Sequence, residues 1–248
     1  MVGTSPAMTA TWEAILAKLK VMCARSMHVA VGALGQAFAE ASGHEVAFDF
    51  GTVGALQTKL DAGETADVVI LSVPAIDKLE NAGALVPGSR KAVAKTYIAV
   101  CIREGAPRPD FATPEAFRRL LENAHAIATS DPAVGGSAGV HLAKTFEQTG
   151  LAAMMAGKSL PQQSGVEVAK RVVEGKAEFG LTLSGEVASV PGAVIAGPLP
   201  RPFGQETTYC AAVMAGSPAQ AEAGTLIAAL TRPETQAAWA RAGFQLPD

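Results

Sequence analysis

Residues 45–72 read EVAFDFGTVGALQTKLDAGETADVVILS, and their order of apolar and polar residues decides the fold. The run EVAFDF (45–50) predicts a strand, and the next segment predicts a helix over residues 53–62 that ends at Gly63, a natural C-cap. The run DVVIL (67–71) predicts a buried second strand before a helix over 74–82. Strand, helix and strand in this order are typical of parallel α/β structure with crossover helices.

The same alternation extends on both sides of this stretch. Upstream, KVMCA (20–24) predicts a strand before a helix over 28–42 that ends at Gly43. Downstream, a strand over 96–102 begins a second set, and Thr113-Pro114-Glu115 has the cap, proline and acid of a helix start. The remaining predicted elements are strands at 126–129, 179–183 and 207–215, and helices over 138–149, over 166–174, after Ser217-Pro218 and after Arg232-Pro233. We expect two α/β lobes, with the C-terminal tail packed on the first.

The composition excludes several classes of partner. The chain has 248 residues, 49% of them hydrophobic and 17% charged, so it can bury a core without disulfides. A net charge of −3 without a Lys/Arg cluster argues against nucleic acid and favours small-molecule partners. Cys23, Cys101 and Cys210 lie far apart in apolar, strand-like runs, which favours buried thiols over metal ligands or disulfides. The sequence predicts no metal site.

The N-terminal segment 1–20 lacks the features of an export signal. It contains Glu13, and its uncharged apolar run covers only residues 14–17. No run approaches the roughly 18 apolar residues of a membrane helix, so no stable membrane insertion is expected. We expect a cytoplasmic location for the chain as written, and a periplasmic one if a signal was removed from it.

The stretch SDPAVGGSAGVHLAK (130–144) carries the most suggestive chemistry. Ser137 matches the G-x-S-x-G pattern of a hydrolase nucleophile, but the predicted strand ends near Thr129, and the only later histidine, His141, lies on the same helix. A dinucleotide fingerprint would need a glycine at Val134, and the chain has no P-loop, so no cofactor is expected. A glycine-rich loop at a helix start does expose N–H groups and a positive dipole end, which together hold an anion.

Three further segments combine small residues with a predicted helix start. They are Arg25-Ser26, Gly51-Thr52-Val53-Gly54 and Ser164-Gly165-Val166. Taken singly, each is explained as a turn and a helix cap. Together they fall in both predicted lobes, most of them after the C-terminal end of a strand, where open α/β sheets bind ligands. We therefore predict an anion site between the lobes.

Four segments resemble the ModA-like, molybdate-binding group of type 2 periplasmic solute-binding proteins. They are CARSM (23–27), FDFGTVGALQTKLDAGETADVVILS (48–72), SDPAVGGSAGVHLAKTF (130–146) and VAKRVVEGKAEFGLTLSGEV (168–187). The resemblance implies the two-lobed type 2 periplasmic-binding-protein fold, an α/β fold whose lobes are joined by crossover strands and close on an oxyanion. We assign residues 1–95 and 200–248 to lobe 1 and residues 96–199 to lobe 2.

The resemblance also implies the positions of the ligand contacts. The matched positions are Ser26, Thr52 or Val53, Ser137 or Ala138, and Gly165 or Val166. Neighbouring residues complete the predicted ligand-binding set: Arg25, Gly54, Gly136 and Gly139.

One position departs from the molybdate binders. Leu183 stands about where they carry a tyrosine whose hydroxyl reaches the oxyanion, and Tyr97 and Tyr209 fall elsewhere in the sequence. A missing donor leaves a buried oxygen short of a hydrogen bond, at a cost of about 1–3 kcal/mol. Arg25 and the histidines beside the matched positions suit a carboxylate better than a tetrahedral metal oxyanion.

Two functions follow from these residues and the resemblance. The first is binding of a small anionic ligand, a carboxylate or an oxyanion, with an ABC permease as partner if the protein is exported. The alternative is a cofactor-independent isomerase of a polycarboxylate, because the ModA-like group has an aconitate-isomerase-like branch that works by an allylic proton shift. That chemistry needs an anion site and a general base and acid. His141 is the first candidate base, with Asp131 and His28 as the others.

Overall fold

A mixed β-sheet runs through both halves of the chain in the computed structural model, which describes residues 16–247. The first half alternates strands and helices as the sequence predicts. Its elements are β1 (Lys18–Ala24), α1 (His28–Ser42), β2 (Glu45–Gly51), α2 (Val53–Asp61), β3 (Val68–Ser72) and α3 (Val73–Asn81). A short 3-10 turn, Arg25–Met27, joins β1 to α1. Strand β1 pairs in parallel with both β2 and β3, which confirms the predicted crossover arrangement.

The second half repeats this plan with more irregular connections. Its elements are β4 (Lys91–Arg103), α4 (Pro114–Asn123), β5 (Ile127–Ser130), α5 (Ser137–Gln148), α6 (Ala152–Ala156), β6 (Ser159–Gln162), α7 (Gly165–Val173), β7 (Phe179–Leu183), α8 (Ser184–Ala188) and β8 (Ala193–Pro198). Strand β5 pairs in parallel with β6 and β7. The predicted helices 138–149 and 166–174 each begin and end one residue earlier in the structure.

The tail returns to the first half. Strand β9 (Glu206–Val213) is followed by α9 (Gln220–Leu230) and, after a 3-10 turn at Pro233–Thr235, by α10 (Gln236–Arg241). Strand β9 is antiparallel to β3, and the side chains of Trp239 and Leu226 are buried in the same core as Phe38 and Leu19. The tail therefore packs on the elements of the first half of the chain.

Strand β4 connects the two lobes. Its first part pairs with β9, from Lys91 opposite Ala211 to Tyr97 opposite Glu206, and its second part pairs with β7 from Ile98 onward. The full sheet order is β2-β1-β3-β9-β4-β7-β5-β6, with β8 also paired to β4. The two-lobed α/β fold is therefore confirmed, while the boundaries 1–95 with 200–248 and 96–199 stay a proposal.

Each lobe has its own apolar core. Phe117, Leu121 and Phe146 belong to the core of the second lobe, which shares no residue with the core around Trp239. Cys23, Cys101 and Cys210 are buried free thiols, as predicted. The prediction about an export signal concerns residues 1–20, most of which lie outside the described residues. Within 16–247, no helix combines the length and apolar character that crossing a membrane requires.

Candidate functional site

A cleft of about 330 Å³ lies where strands of both lobes end. This volume is at the lower end of the range for small-ligand pockets, about 300–1,000 Å³. The first lobe and β9 contribute Ala24, Arg25, Ser26, Gly51, Thr52, Val53, Gly54, Ser72, Thr207 and Tyr209. The second lobe contributes Ser130, Val134, Gly135, Gly136, Ser137, Ala138, Gln163, Ser164, Gly165, Leu183 and Glu186.

Most of the predicted ligand-binding positions line this cleft. They are Arg25, Ser26, Thr52, Val53, Gly54, Gly136, Ser137, Ala138 and Gly165. Two predicted positions, Gly139 and Val166, are not among its lining residues. A Cβ at Gly139 would lie 2.7 Å from the carbonyl oxygen of Ser130, so this glycine lets α5 approach β5 closely. Val166 packs against the apolar core beneath α7.

The helix starts at the cleft differ in how their N–H groups are used. At α2, the Thr52 hydroxyl accepts a hydrogen bond from the Ala55 N–H at 3.2 Å. At α5, the N-cap is Gly136, and no side chain accepts from the first turn. Because the first N–H groups of a helix have no partner within it, those of Ser137 and Ala138 are available to an anion in the cleft.

Tyr209 supplies a hydroxyl that the sequence analysis did not assign to the site. The Ser26 hydroxyl donates a hydrogen bond to the Tyr209 Oη at 2.9 Å, and both residues line the cleft. Burial raises the pKa of Tyr209, so its phenol is neutral and can donate. Tyr209 is far from Leu183 in the sequence, but β9 pairs with β3 and places Tyr209 opposite Ser72, beside the cleft.

Glu186, in the short helix α8 that follows β7, is a second residue that the sequence analysis missed. Its Oε2 accepts a hydrogen bond from the Thr182 hydroxyl at 2.8 Å, and its Oε1 accepts from the Gly165 N–H at 3.3 Å. Burial raises the pKa of this carboxyl, although these hydrogen bonds oppose the shift. The Gly165 N–H, predicted to contact the ligand, thus already has a partner within the protein. The position of Glu186 just after a predicted strand was the signal that could have found it.

The three predicted catalytic residues do not line the cleft. The His141 Nε2 lies 3.1 Å from the carbonyl oxygen of Phe203. The Asp131 Oδ1 accepts from the Ala133 N–H at 2.9 Å and caps a 3-10 turn, and the His28 Nδ1 lies 3.0 Å from the Arg25 carbonyl oxygen. Only the first residues of α5 line the cleft, and the His141 Nε2 lies beside the carbonyl oxygens of Pro202 and Phe203. The catalytic roles of these three residues stay predictions.

The bacterial extracellular solute-binding protein family matches residues 19–245. The chain belongs to this family. The sequence analysis expected a solute-binding protein, and the family match agrees with that expectation.

Two solved binding proteins superpose over nearly the whole of this solute-binding protein. The periplasmic molybdate-binding protein of Azotobacter vinelandii has a TM-score of 0.71 at 21% identity, over 93% of this chain and 100% of that one. The sulfate-binding protein of Mycobacterium tuberculosis has a TM-score of 0.70 at 18% identity, over 94% and 88%. At these identities the likeness shows the shared two-lobed fold.

A curated relative is closer in sequence. The aconitate isomerase of a Pseudomonas species is 32% identical over 169 residues. The alignment covers 67% of this solute-binding protein and 62% of the length of that relative.

The charges of the cleft come from two side chains. Among the lining residues, Arg25 is the one Lys or Arg and Glu186 is the one acid. The Arg25 Nη2 lies 3.5 Å from the carbonyl oxygen of Phe50, so the guanidinium lies on the first-lobe side. In the part of this solute-binding protein that the structure describes, no group of three or more His, Cys, Asp or Glu side chains is arranged to hold a metal ion.

Proposed function

We propose that this solute-binding protein holds a small anionic ligand between its lobes, with a carboxylate preferred. The observation that carries the proposal is the start of α5, whose Ser137 and Ala138 N–H groups reach the cleft without a side-chain cap. The start of α2 at Val53 and Gly54 lines the same cleft from the other lobe. An anion between them would complete the hydrogen bonds that both helix ends leave open.

The side chains around these helix starts support a carboxylate. Arg25 provides a planar guanidinium, which matches the two oxygens of a carboxylate. The Tyr209 hydroxyl accepts from Ser26 and keeps its own proton as a donor on the same side. Leu183, in contrast, gives the second lobe an apolar wall that suits the carbon skeleton of an organic acid.

Titration calorimetry tests this proposal. We expect at least one of a panel of di- and tricarboxylates to bind more tightly than molybdate, tungstate or sulfate. Ser137→Ala should weaken that binding about tenfold, because it removes one hydrogen bond to a charged group. Ser42→Ala is the matched control, because the Ser42 hydroxyl donates to the Phe38 carbonyl at the far end of α1.

Two results would contradict the proposal. Binding of molybdate with no binding of any carboxylate would overturn the ligand preference. No binding of any anion in the panel would overturn the proposed function itself.

A second candidate is cofactor-independent isomerisation of a polycarboxylate. It is favoured by the 32% identity to an aconitate isomerase and by the carboxyl group of Glu186 inside the cleft. Transfer of one proton between two carbons of a bound ligand needs a base at the site in addition to the anion contacts. Binding and isomerisation would use the same cleft. Calorimetry measures only binding, so isomerisation needs an experiment of its own.

The location and partner belong to this proposal as well. Because the family is described as extracellular, we propose that the protein works outside the cytoplasmic membrane and delivers its ligand to an ABC permease. Cell fractionation of the strain that carries the native gene would test this. Recovery of the protein with cytoplasmic markers would contradict it and would favour the isomerase.

A further inference from the structure

The Glu186 carboxyl is placed at the cleft in a way that packing alone does not explain. It lies in the short helix α8 directly after β7, and both of its oxygens accept hydrogen bonds from within the second lobe. No ion pair of Glu186 occurs among the salt bridges of the described residues. A carboxyl without a cation partner weakens an anion site if it is ionised, so its presence there calls for a chemical role.

The surroundings of Glu186 hold its carboxyl in one place. A Cβ at position 165 would overlap the Glu186 carboxyl and the Thr182 hydroxyl, so only glycine allows this approach. The Thr182 Oγ1 lies 3.2 Å from the Ser130 Oγ, and Ser130 lines the cleft. Two hydroxyls therefore connect Glu186 to the C-terminal end of β5. Proton transfer to a bound ligand requires a carboxyl group that is held in one position by surrounding hydrogen bonds, as the Glu186 carboxyl is here.

We propose that Glu186 is the catalytic residue that removes and returns a proton when an unsaturated polycarboxylate isomerises in this cleft. This inference rests on the proposed binding of a polycarboxylate there. The Glu186 carboxylate takes a proton from the methylene carbon of the ligand, and the electron pair of that C–H bond forms the new double bond. The π pair of the old double bond then takes the proton back from Glu186 at the third carbon. The carboxylate is regenerated, and no oxidant, reductant or second substrate is consumed.

The rest of the cleft supports this step. Negative charge moves from Glu186 onto the ligand during proton removal, and the starts of α2 and α5, whose N–H groups can stabilise that charge, line the same cleft. Burial raises the pKa of Glu186, which makes the carboxylate a stronger base than an exposed one. His28 and Tyr209 interact electrostatically with Glu186, and Arg25 and Tyr209 line the same cleft.

Proton exchange in D₂O, followed by ¹H NMR with trans-aconitate and cis-aconitate as probes, tests the inference. The wild-type protein should exchange the methylene protons for deuterium and interconvert the isomers. Glu186→Gln should lower the exchange rate by about 10²–10⁴-fold, the usual contribution of a positioned base, while it still binds the probe in calorimetry. Glu167→Gln removes an exposed carboxyl from the first turn of α7 and should retain wild-type exchange.

Each other outcome decides between the two proposals. If neither aconitate nor another polycarboxylate binds, the proposed ligand class fails and this inference fails with it. If the probes bind without exchange, the inference is overturned and the binding proposal stands. If Glu186→Gln keeps exchange within tenfold of wild type, another group moves the proton. Glu186→Asp, which keeps a carboxyl group, serves in place of the glutamine variant if that variant does not fold.

Discussion

At the scale of single residues, Glu186 shows how a polar side chain can be held in a cleft at a cost in stability. Its carboxyl lies deep enough for burial to raise its pKa, and Thr182 and Gly165 donate hydrogen bonds that offset part of that cost. Glycine at position 165 is required because Thr182 is buried and β-branched, so its hydroxyl cannot move aside for a Cβ. Gly165 therefore begins α7 and also leaves room for the Glu186 carboxyl.

The raised pKa of Glu186 predicts a pH-dependent difference in stability. The folded protein binds this proton more tightly than the unfolded chain does. The resulting stabilisation is complete below the ordinary pKa of 4.5 and is lost as the pH rises through the folded-state pKa. Since Glu186→Gln cannot ionise, its free energy of unfolding should increase relative to wild type as the pH is raised from 4 to 8. Urea unfolding at several pH values would measure this.

Glu115→Gln is the matched control with the opposite sign. The pKa of Glu115 is lowered by its own backbone N–H and by the Thr113 hydroxyl at the start of α4. Its stabilisation is present above the ordinary pKa and is lost as the pH falls. A constant difference between Glu186→Gln and wild type across this pH range would contradict the raised pKa.

At the scale of elements, the helix starts and ends were predictable and the shortest elements were not. Gly43 follows α1 with φ 77°, the left-handed conformation that the glycine predicted, and α5 and α7 begin within one residue of their predicted starts. In contrast, α6, β6, α8 and β8 were missed. Elements of four to six residues show too little periodicity to be distinguished from a loop.

Two glycines within α1 should respond to alanine in opposite directions. A Cβ at Gly32 meets nothing within 4 Å, so Gly32→Ala should raise the free energy of unfolding by up to about 1 kcal/mol through helix propensity. A Cβ at Gly35 would overlap the ring of Phe48, so Gly35→Ala should lower it by about 1–3 kcal/mol. Urea denaturation of both variants checks this pair. Equal effects would show that packing of Phe48 on α1 contributes nothing to stability.

At the scale of the whole molecule, the end of the tail joins the two lobes beside the cleft. The Ser184 hydroxyl, at the start of α8, donates to the Gly243 carbonyl oxygen at 2.6 Å. Gln245 exchanges two backbone hydrogen bonds with Lys95 of β4, at 2.7 and 2.8 Å. Between them, the buried Phe244 ring packs edge-on against Trp239 at 5.5 Å. The tail therefore stabilises the first lobe and also supports the helix that carries Glu186.

Phe244→Ala should accordingly lower the stability of the contact between the lobes as well as that of the first lobe. We expect the free energy of unfolding to fall by about 3–5 kcal/mol, the usual cost of removing a buried phenylalanine. Phe48→Ala is the control, because Phe48 is partly exposed on the edge strand β2 and should cost less. Calorimetric melting of both variants provides the comparison. A loss at Phe244 no larger than that at Phe48 would show that the tail does not hold the lobes together.

The sequence by itself determined the α/β alternation, the helix starts at the cleft and the two-lobed family, because caps, glycines and apolar periodicity act over a few neighbouring residues. Only the tertiary structure decided which side chains share the cleft. Tyr209 reaches Ser26 across 183 positions because β9 inserts between β3 and β4. Glu186 meets Gly165 because α8 packs beside α7, and His141 is not a cleft residue because only the first residues of α5 line the cleft. Such neighbours are set by long-range strand pairing, which no local pattern of residues encodes.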